Sequence, residues 1–539
     1  MRKVLLSLLI ASSVATSLVA QNDTKGYVVG SFESNSIVYV DDEVTQAQKP
    51  EGNFGTNNYL KADYYLGNFS AGLQLEAYQP ALIGYPANLE GARLTNYYMQ
   101  WSDGDFDVTA GTFYDQFGSG ILFRTYEDRT LGVNSALMGA RVAYQYKNIA
   151  RIKALWGAPR LGMEPAKNTQ VRGVDASLSL SNLLNMTDMT LALEGSLLNR
   201  FERVGATALE SGAKPSTMGY SARLNFEKSG FGAKAEWVDG GEKMYNNPNP
   251  IPGVTGNDYL IKNSNAQLLE LSYSGGGLGV SLSARRLEWM ESKISNSSYE
   301  TNNALNYLPA LCAQYSYAIT NLNPYIVQPG TTSGHINSGE IGGQLDVYYN
   351  FKRGTALGGK RGMKVNLNFS TYYTLKEEGS FVPKTLLWRN VNVGVEKQVS
   401  RKFKMQLLYS MQEYNHSHGV GKGTWLSNIV VADLLYKYTP TFSTRMELAY
   451  LTTFEDKKDW MSALLEVNFA PSWSLFVSDM FNHGMTKVHY YNAGFSYTEG
   501  RTRVALSYGR NRQGMVCSGG VCRLMPAYTG GNLTISTSF

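Results

Sequence analysis

The sequence predicts an all-β fold, a transmembrane antiparallel up-and-down β-barrel with an even number of strands, about 24 (range about 20–26). Three observations predict it. Hydrophobic and polar side chains alternate with a period of two in segments of about ten residues, the length of a tilted membrane strand. Short and long connections alternate along the chain. The composition has 36 Tyr and 54 Gly against 16 Pro, which suits strands whose tyrosines lie at a membrane interface.

The alternation is clearest in the second half of the chain, for example in residues 402–411. The hydrophobic positions there are Phe403, Met405, Leu407, Tyr409 and Met411, and the polar positions are Lys402, Lys404, Gln406 and Ser410. Residues 363–370 and 461–469 show the same pattern. A helix would scatter each set around its circumference, so the pattern indicates strands.

The connections between the predicted strands divide into short turns and long loops. Short turns such as Gly67-Asn68, Lys147-Asn148 and Pro471-Ser472 follow every second strand, and longer loops lie at the alternate positions, the longest at 287–337. Outer-membrane barrels have short turns in the periplasm and long loops outside, so we expect both termini to be periplasmic. Residues 351–362 are an exception, because a long basic connection stands there where a short turn is expected.

The two ends of the chain fit an exported barrel. Residues 1–20 have the layout of a secretory signal peptide, with basic Arg2 and Lys3 before an apolar stretch that ends at Ala20. Residues 21–539 are expected to form one barrel domain. An N-terminal plug domain is not expected, because the first barrel-like strand begins near Gly26. The final aromatic, Phe539, resembles the C-terminal signal recognised by the bacterial barrel-assembly machinery.

Charge and cysteine content narrow the function classes. Of 49 basic residues two lie in the signal peptide, so 47 remain against 44 acidic residues, a net charge of +3 that gives no reason to expect nucleic acid. Cys517 and Cys522 flank Ser-Gly-Gly-Val, and in an exported protein this spacing favours a disulfide. Cys312 is expected to be a free thiol in a loop.

The polar strand faces are expected to line the barrel lumen. Both signs of charge are mixed among the lumen-lining candidates, which are Glu236, Glu270, Asp346, Lys364, Glu396, Lys404, Arg445, Glu447, Glu466 and Arg503. A charge-selective pore would show rings of one sign. Two interpretations stay open, a hydrated and salt-bridged wall or a ligand-binding track.

Two long loops could fill the lumen of so wide a barrel. Residues 115–135 combine an apolar start with a charge cluster whose constriction candidates are Arg124, Glu127, Asp128 and Arg129. A surface loop is the alternative for this segment, since sequence does not show which way a loop folds. Residues 287–337 are rich in Tyr and suit a cap, a partner-docking surface or an aromatic binding face.

Metal and catalytic sites are not predicted. His416 and His418 share a loop, and two ligands in a flexible loop make a poor metal site. Nothing ties a His to a nucleophile and an orienting acid, so neither an enzyme nor a cofactor is predicted.

Two stretches of sequence resemble an uncharacterised outer-membrane protein family of Bacteroidota. The first is Phe117-Gly-Ser-Gly-Ile-Leu-Phe-Arg-Thr-Tyr-Glu-Asp-Arg-Thr-Leu-Gly132 with Gly139-Ala-Arg-Val142 after it, and the second is Gly519-Gly-Val-Cys-Arg-Leu-Met-Pro-Ala-Tyr-Thr529. The resemblance covers essentially the whole chain. It implies an outer-membrane location and a barrel fold, but no activity, substrate or catalytic residue.

Two functions remain open at this point. The first is a channel or transporter for a small polar or amphipathic solute, gated by inward-folded loops. The alternative is a structural or accessory barrel subunit of an outer-membrane assembly, secretion or surface-lipoprotein complex. The expected partners are outer-membrane lipid, the barrel-assembly machinery during biogenesis, and other outer-membrane proteins or surface lipoproteins.

Overall fold

The wall of the molecule is one closed, antiparallel sheet. In a computed structural model, residues 26–294, 304–327, 330–332, 335–518 and 521–539 are described. Among them the main sheet has 25 strands, and one of these, Glu164–Pro165, pairs only with the strand before it, so the barrel has 24. The first and last strands close the wall, with Ser31 opposite Ser538 and Val40 opposite Thr529. The predicted barrel and its even strand number are confirmed.

Each barrel strand pairs with its neighbours in chain order. The strands are β1 (Tyr27–Val40), β2 (Phe54–Leu66), β3 (Phe69–Tyr78), β4 (Gly91–Ser102), β5 (Phe106–Phe113), β6 (Leu137–Tyr146), β7 (Ala150–Leu161), β8 (Thr169–Ser179), β9 (Met189–Glu202), β10 (Ser216–Lys228), β11 (Phe231–Asn246), β12 (Tyr259–Gly275), β13 (Leu278–Glu288), β14 (Gly339–Phe351), β15 (Met363–Leu375), β16 (Pro383–Gln398), β17 (Phe403–Asn415), β18 (Thr424–Lys437), β19 (Phe442–Thr453), β20 (Trp460–Phe469), β21 (Trp473–Phe481), β22 (His489–Glu499), β23 (Thr502–Asn511) and β24 (Tyr528–Ser538).

Smaller elements lie in the connections. The helices are Leu180–Leu183 and Ala206–Glu210, with 3-10 turns at Ala87–Leu89 and Ala318–Asn321. Short ladders pair Gln116–Phe117 with Phe123–Arg124, Glu127–Asp128 with Val133–Asn134, Gly330–Thr332 with His335–Asn337, and Gly514–Ser518 with Val521–Met525. The last ladder carries the predicted disulfide between Cys517 and Cys522. In the described part of the chain, none of the helices has the length and apolar character of a membrane span.

The outer face of the wall is an apolar belt. Leu407 and Tyr409 of β17 are exposed, whereas Ser410 on the opposite face is buried. Aromatic side chains gather near the short-turn end, where Phe106 contacts Tyr144 with ring centroids 4.5 Å apart. Such a girdle, flanking an apolar band, is the outer surface of a barrel embedded in a bilayer. The alternation therefore arises because the two faces of each strand meet lipid and lumen.

The connections fall at two ends of the barrel, called here the short-turn end and the long-loop end. Both described ends of the chain lie at the short-turn end, since Tyr27 begins β1 beside the Gly67-Asn68 turn and Ser538 ends β24. Residues 352–362 form the longest connection of the short-turn end in the described chain, as the sequence indicates, and residues 180–188, with the helix Leu180–Leu183, form a second long one. The predicted signal peptide, residues 1–20, lies outside the described residues.

Candidate functional site

The lumen is occupied by a loop that folds inward between β5 and β6, residues 114–136, called here the first lumen segment. Its Phe117 and Phe123 are fully buried, and their ring centroids are 5.2 Å apart. They belong to an apolar cluster that includes the wall residues Leu155, Val171, Leu198 and Val238. Burial of large aromatic side chains is the main stabilising contribution to such packing. The segment is therefore packed against the inner wall.

Polar contacts hold the same segment at fixed points on the wall. Lys153 donates to Asp115 at 2.5 Å and to the backbone carbonyl of Gln116 at 3.0 Å. The backbone N–H of Ser119 donates to Glu236 Oε2 at 3.2 Å. Beside it, Gly118 has a φ of +53°, and a Cβ there would lie 2.5 Å from both Arg223 Cδ and Glu236 Oε1. Glycine is favoured at this tip because it adopts a positive φ without strain, and because a side chain there would displace Arg223 and Glu236.

The four constriction candidates all lie on the first lumen segment. Arg124 lies over the ring of Tyr307, 4.0 Å from its centroid, and so joins the two long loops. Arg129 pairs with Glu127 at 3.2 Å and with Glu33 of β1 at 2.8 Å. Asp128 accepts a hydrogen bond from the backbone N–H of Leu131 at 3.1 Å and shapes a turn. Arg124 and Arg129 thus connect the segment to its surroundings, while Asp128 has a local role.

A second loop crosses the lumen between nearly opposite walls. Residues 304–327, called here the second lumen segment, begin near β13, where Arg285 donates to the carbonyl of Pro309 at 2.6 Å. Further along, Ile319 packs against Ile429 and Trp460. At the far side Arg512, just after β23, donates to the carbonyl of Asn321 at 3.1 Å. The predicted Tyr-rich loop is therefore a strut across the barrel; of its tyrosines, Tyr299 lies outside the described residues.

Cys312 lies inside this strut and can report its position. The side chain is buried against Tyr325, Tyr372 and Trp388, and burial raises the pKa of the Cys312 thiol to about 12. A neutral, buried thiol reacts slowly with alkylating reagents because the thiolate is the nucleophile.

We expect the folded protein in detergent to resist labelling by a bulky maleimide at Cys312, and to become reactive when the second lumen segment leaves the wall. Mass spectrometry of the labelled tryptic peptide measures this. The protein unfolded in denaturant gives the reference for full labelling. Rapid labelling of the folded barrel would show that the strut is not docked as described.

The lumen-lining candidates form local ion networks. Glu396 lies 3.3 Å from Lys404 and 3.6 Å from Lys364 across three neighbouring strands. Arg445 lies 3.0 Å from Asp433, 2.9 Å from Glu447 and 3.9 Å from Glu466. These contacts join seven charged groups of the wall into two salt-bridged sets, and satisfied polar networks of this kind make a structure more rigid.

Two further candidates lie at different depths of the lumen. Asp346 accepts hydrogen bonds of 2.7 Å from both Gln344 and Asn368. Arg503 is exposed near the short-turn end, on the strand face opposite Leu506 and Tyr508. The remaining candidates, Glu236 and Glu270, line a cavity.

That cavity, of about 400 Å³, lies beneath the two lumen segments. Gly118, Ser119, Tyr307 and Pro309 form its cover. Its wall carries the charged side chains Glu194, Arg223, Lys234, Glu236, Glu270 and Arg285. A cavity lined by several convergent charged groups is a candidate binding site.

Sequence reasoning missed several contacts that hold the segments. Glu340 accepts from Arg285 at 2.6 Å and from the hydroxyl of Tyr325. Arg160 pairs with Glu76 through two hydrogen bonds of 2.7 Å. Glu340 and Arg160 lie close to the ends of their strands, where strand and loop are hardest to tell apart in sequence. Glu340 lies five residues before Leu345, where the apolar alternation with Val347 begins, and this position is too weak a signal to find it.

Histidines and possible metal ligands are scattered. His416 stacks on Trp425 with ring centroids 5.0 Å apart, and His418 lies 3.3 Å from the hydroxyl of Tyr414. Within the described ranges no group of three or more His, Cys, Asp or Glu side chains is placed to hold a metal ion.

Comparison with known proteins gives a family and distant structural likenesses. A family model described as "Family of unknown function (DUF6029)" matches residues 1–539, and this confirms the resemblance to an uncharacterised family. A search of the curated proteins finds no match.

Solved structures with a similar barrel include three proteins at low identity. They are the siderophore receptor PirA from Pseudomonas aeruginosa (9% identity, covering 97% of this chain and 81% of that chain, TM-score 0.42), OccAB1 from Acinetobacter baumannii (9%, 97% and 99%, TM-score 0.36), and the translocation pore of the P pilus usher PapC (11%, 95% and 99%, TM-score 0.39). Because the identities and TM-scores are low, nothing about this protein's activity is taken from these three.

Proposed function

Because this chain belongs to DUF6029, a family of unknown function, we propose a function from the barrel itself: passage of a small polar or amphipathic solute across the outer membrane, with the two lumen segments as the gate. The short-turn end faces the periplasm in this proposal. The observation that supports this proposal is the charged cavity of about 400 Å³, which is covered by Gly118, Ser119, Tyr307 and Pro309. A solute that enters this polar space would stay on the lumen side of the wall and would not contact lipid.

In this proposal the described structure is the closed state, and the packing of the lumen segments supports it. Fully buried Phe117 and Phe123 would have to leave an apolar cluster for the first lumen segment to open. Removing each large side chain from such a cluster costs several kcal/mol. A ligand or partner opens the gate only by binding the open state more tightly than the closed state. Regulated opening, not a permanently open pore, is the behaviour this geometry favours.

The geometry of the wall permits a direct test by loop replacement. Phe113 pairs with Leu137 and Glu288 with Gly339 in the barrel ladder, so the ends of both loops are neighbours. A linker of about four Gly and Ser residues therefore suffices for each loop.

We expect the intact protein to give low conductance in planar bilayers, and the variant with short linkers in place of residues 115–135 and 290–337 to give large, stable conductance steps. The reason is that the packed side chains, and not the wall, close the lumen. Heat-dependent migration in SDS gels provides the control that each barrel has folded. A folded double-replacement variant that leaves the bilayer sealed would overturn the proposal.

A structural role is the second candidate, and one observation favours it. The second lumen segment connects β13 to the neighbourhood of β23 through apolar clusters and hydrogen bonds at both sides, as a permanent strut would. A barrel subunit of a larger outer-membrane complex would be isolated with stoichiometric partners in mild detergent. Recovery of the barrel alone, together with conductance of the loop-replaced variant, would favour passage.

A further inference from the structure

The cavity under the lumen segments contains charged groups whose bonding is incomplete. Glu236 is only 7% exposed. Its Oε2 accepts from the N–H of Ser119, whereas its Oε1 is buried with no hydrogen-bond partner. A buried carboxylate oxygen without a donor is costly, so an unfilled bonding position here requires an explanation.

The cations nearest to Glu236 are already engaged elsewhere. Arg223 donates to Glu194 at 2.7 Å, to Asp175 at 2.5 Å, and to Ser196 and Ser221. Arg285 donates to Glu340 and to the carbonyl of Pro309. Arg223 is therefore engaged on the wall, and Arg285 donates through its two terminal nitrogens to the cover and to Glu340, which leaves only its buried Nε without a partner. Neither guanidinium offers a free pair of donors to an anion.

Two charged groups on the floor of the cavity face each other without an ion pair. Lys234 and Glu270 are direct cross-strand partners of β11 and β12, and in the described part of the chain neither forms a salt bridge or side-chain hydrogen bond. Two carboxylates, Glu236 and Glu270, thus stand against one ammonium, Lys234. The unpaired charge that remains in the cavity is negative.

We propose that this cavity binds a small organic cation carrying an ammonium or guanidinium group, which donates to Glu270 and, with a shift of the first lumen segment at Gly118, to Glu236 Oε1. The proposal rests on the proposed function, because it names the class of solute that the closed barrel would accept. An ammonium supplies the donors that Glu236 Oε1 lacks and neutralises the excess negative charge. Its binding position adjoins Ser119, so an occupied cavity would alter the contact between the first lumen segment and the wall.

The experiment compares three probes of equal chain length by calorimetry on the full chain in detergent: 1,5-diaminopentane, 1,5-pentanediol and glutarate. We expect saturable binding of 1,5-diaminopentane at one site, and no binding of the neutral or anionic probe. Equal binding of glutarate, or absence of diaminopentane binding to the folded protein, would overturn the proposal.

Substitutions with opposite expected effects keep the test decisive. Glu270→Gln removes a charge-assisted acceptor and is expected to weaken diaminopentane binding about tenfold. Lys234→Gln removes a like charge and is expected to strengthen it several-fold. Glu51→Gln, in the exposed loop before β2, is the matched control and should bind as the intact protein does. Unchanged affinity in both Glu270→Gln and Lys234→Gln would remove the assignment.

Failure of the site and failure of the proposed function give different results. Binding of diaminopentane to the closed barrel requires no conductance. If the intact protein binds diaminopentane while the loop-replaced variant neither binds it nor conducts, the cation site is retained and passage is rejected. Conductance of the loop-replaced variant without any diaminopentane binding to the intact protein would retain passage and reject the cation site.

Discussion

Replacing Arg285 with Met is expected to lower the free energy of unfolding by roughly 3–5 kcal/mol, because it leaves the carboxylate of Glu340 buried without its counter-charge. Arg285 is 3% exposed and Glu340 is 2% exposed. The guanidinium lies 2.6 Å from Glu340 Oε1 and also donates to the carbonyl of Pro309. One substitution therefore removes the ion pair and a link between β13 and the second lumen segment.

Denaturant unfolding in detergent micelles, followed by Trp fluorescence, measures the effect of Arg285→Met. Arg503→Met is the matched control, since Arg503 is exposed near the short-turn end and forms no described ion pair. It should change the unfolding free energy by less than about 0.5 kcal/mol. Equal stability of the two variants would mean that the Arg285–Glu340 contact is not buried as the structure has it.

The strands were predictable because their pattern is local. The alternation of Phe403 to Met411 requires knowledge of only ten neighbouring residues, and the structure places the apolar positions Leu407 and Tyr409 on the outer face. The same two-residue alternation predicted that Glu236 and Glu447 face the lumen, and both are buried in the structure. Any property that depends on which face a side chain occupies follows from a period of two.

The contacts among the lumen residues were not predictable from one sequence. The network around Arg445 requires the register of β18, β19 and β20, in which Arg445 stands opposite Leu435 on one side and Glu466 on the other. A shift by one residue would exchange the faces and remove the network. The register of each strand is fixed by the whole closed barrel. The sequence therefore predicts which charged residues face the lumen, but not which of them form ion pairs.

The inward direction of the two loops is a tertiary property as well. Phe117 and Phe123 are equally compatible with a surface loop until Leu155, Val171 and Val238 from three separate strands supply a packing surface. Gly118, at the tip of the first lumen segment, has a positive φ and lies close to Arg223 and Glu236. A glycine in sequence does not reveal what lies next to it, and the site was therefore found only in part.

Replacing Phe123 with Ala is expected to release the first lumen segment without unfolding the barrel. The side chain is fully buried in the cluster that docks this segment, and truncation of a buried Phe costs roughly 3–5 kcal/mol. Phe123 is not part of the barrel ladder. The substitution therefore lowers the stability of the docked segment and leaves strand pairing in the barrel unchanged. The matched control is Phe454→Ala, at a position that is 96% exposed.

A loss of about 3–5 kcal/mol changes the ratio of docked to released segment by a factor of roughly 150 to 5,000. If the docked state is favoured by less than this amount, most molecules of Phe123→Ala will have a released segment, and the planar bilayer will show conductance steps that neither the intact protein nor Phe454→Ala gives. Heat-dependent migration should be unchanged in all three, because the ladder is intact. Phe123→Ala molecules that fold, that have a first lumen segment open to protease, and that still conduct no more than Phe454→Ala would locate the closure in the second lumen segment alone, and would contradict the gate as proposed for the first.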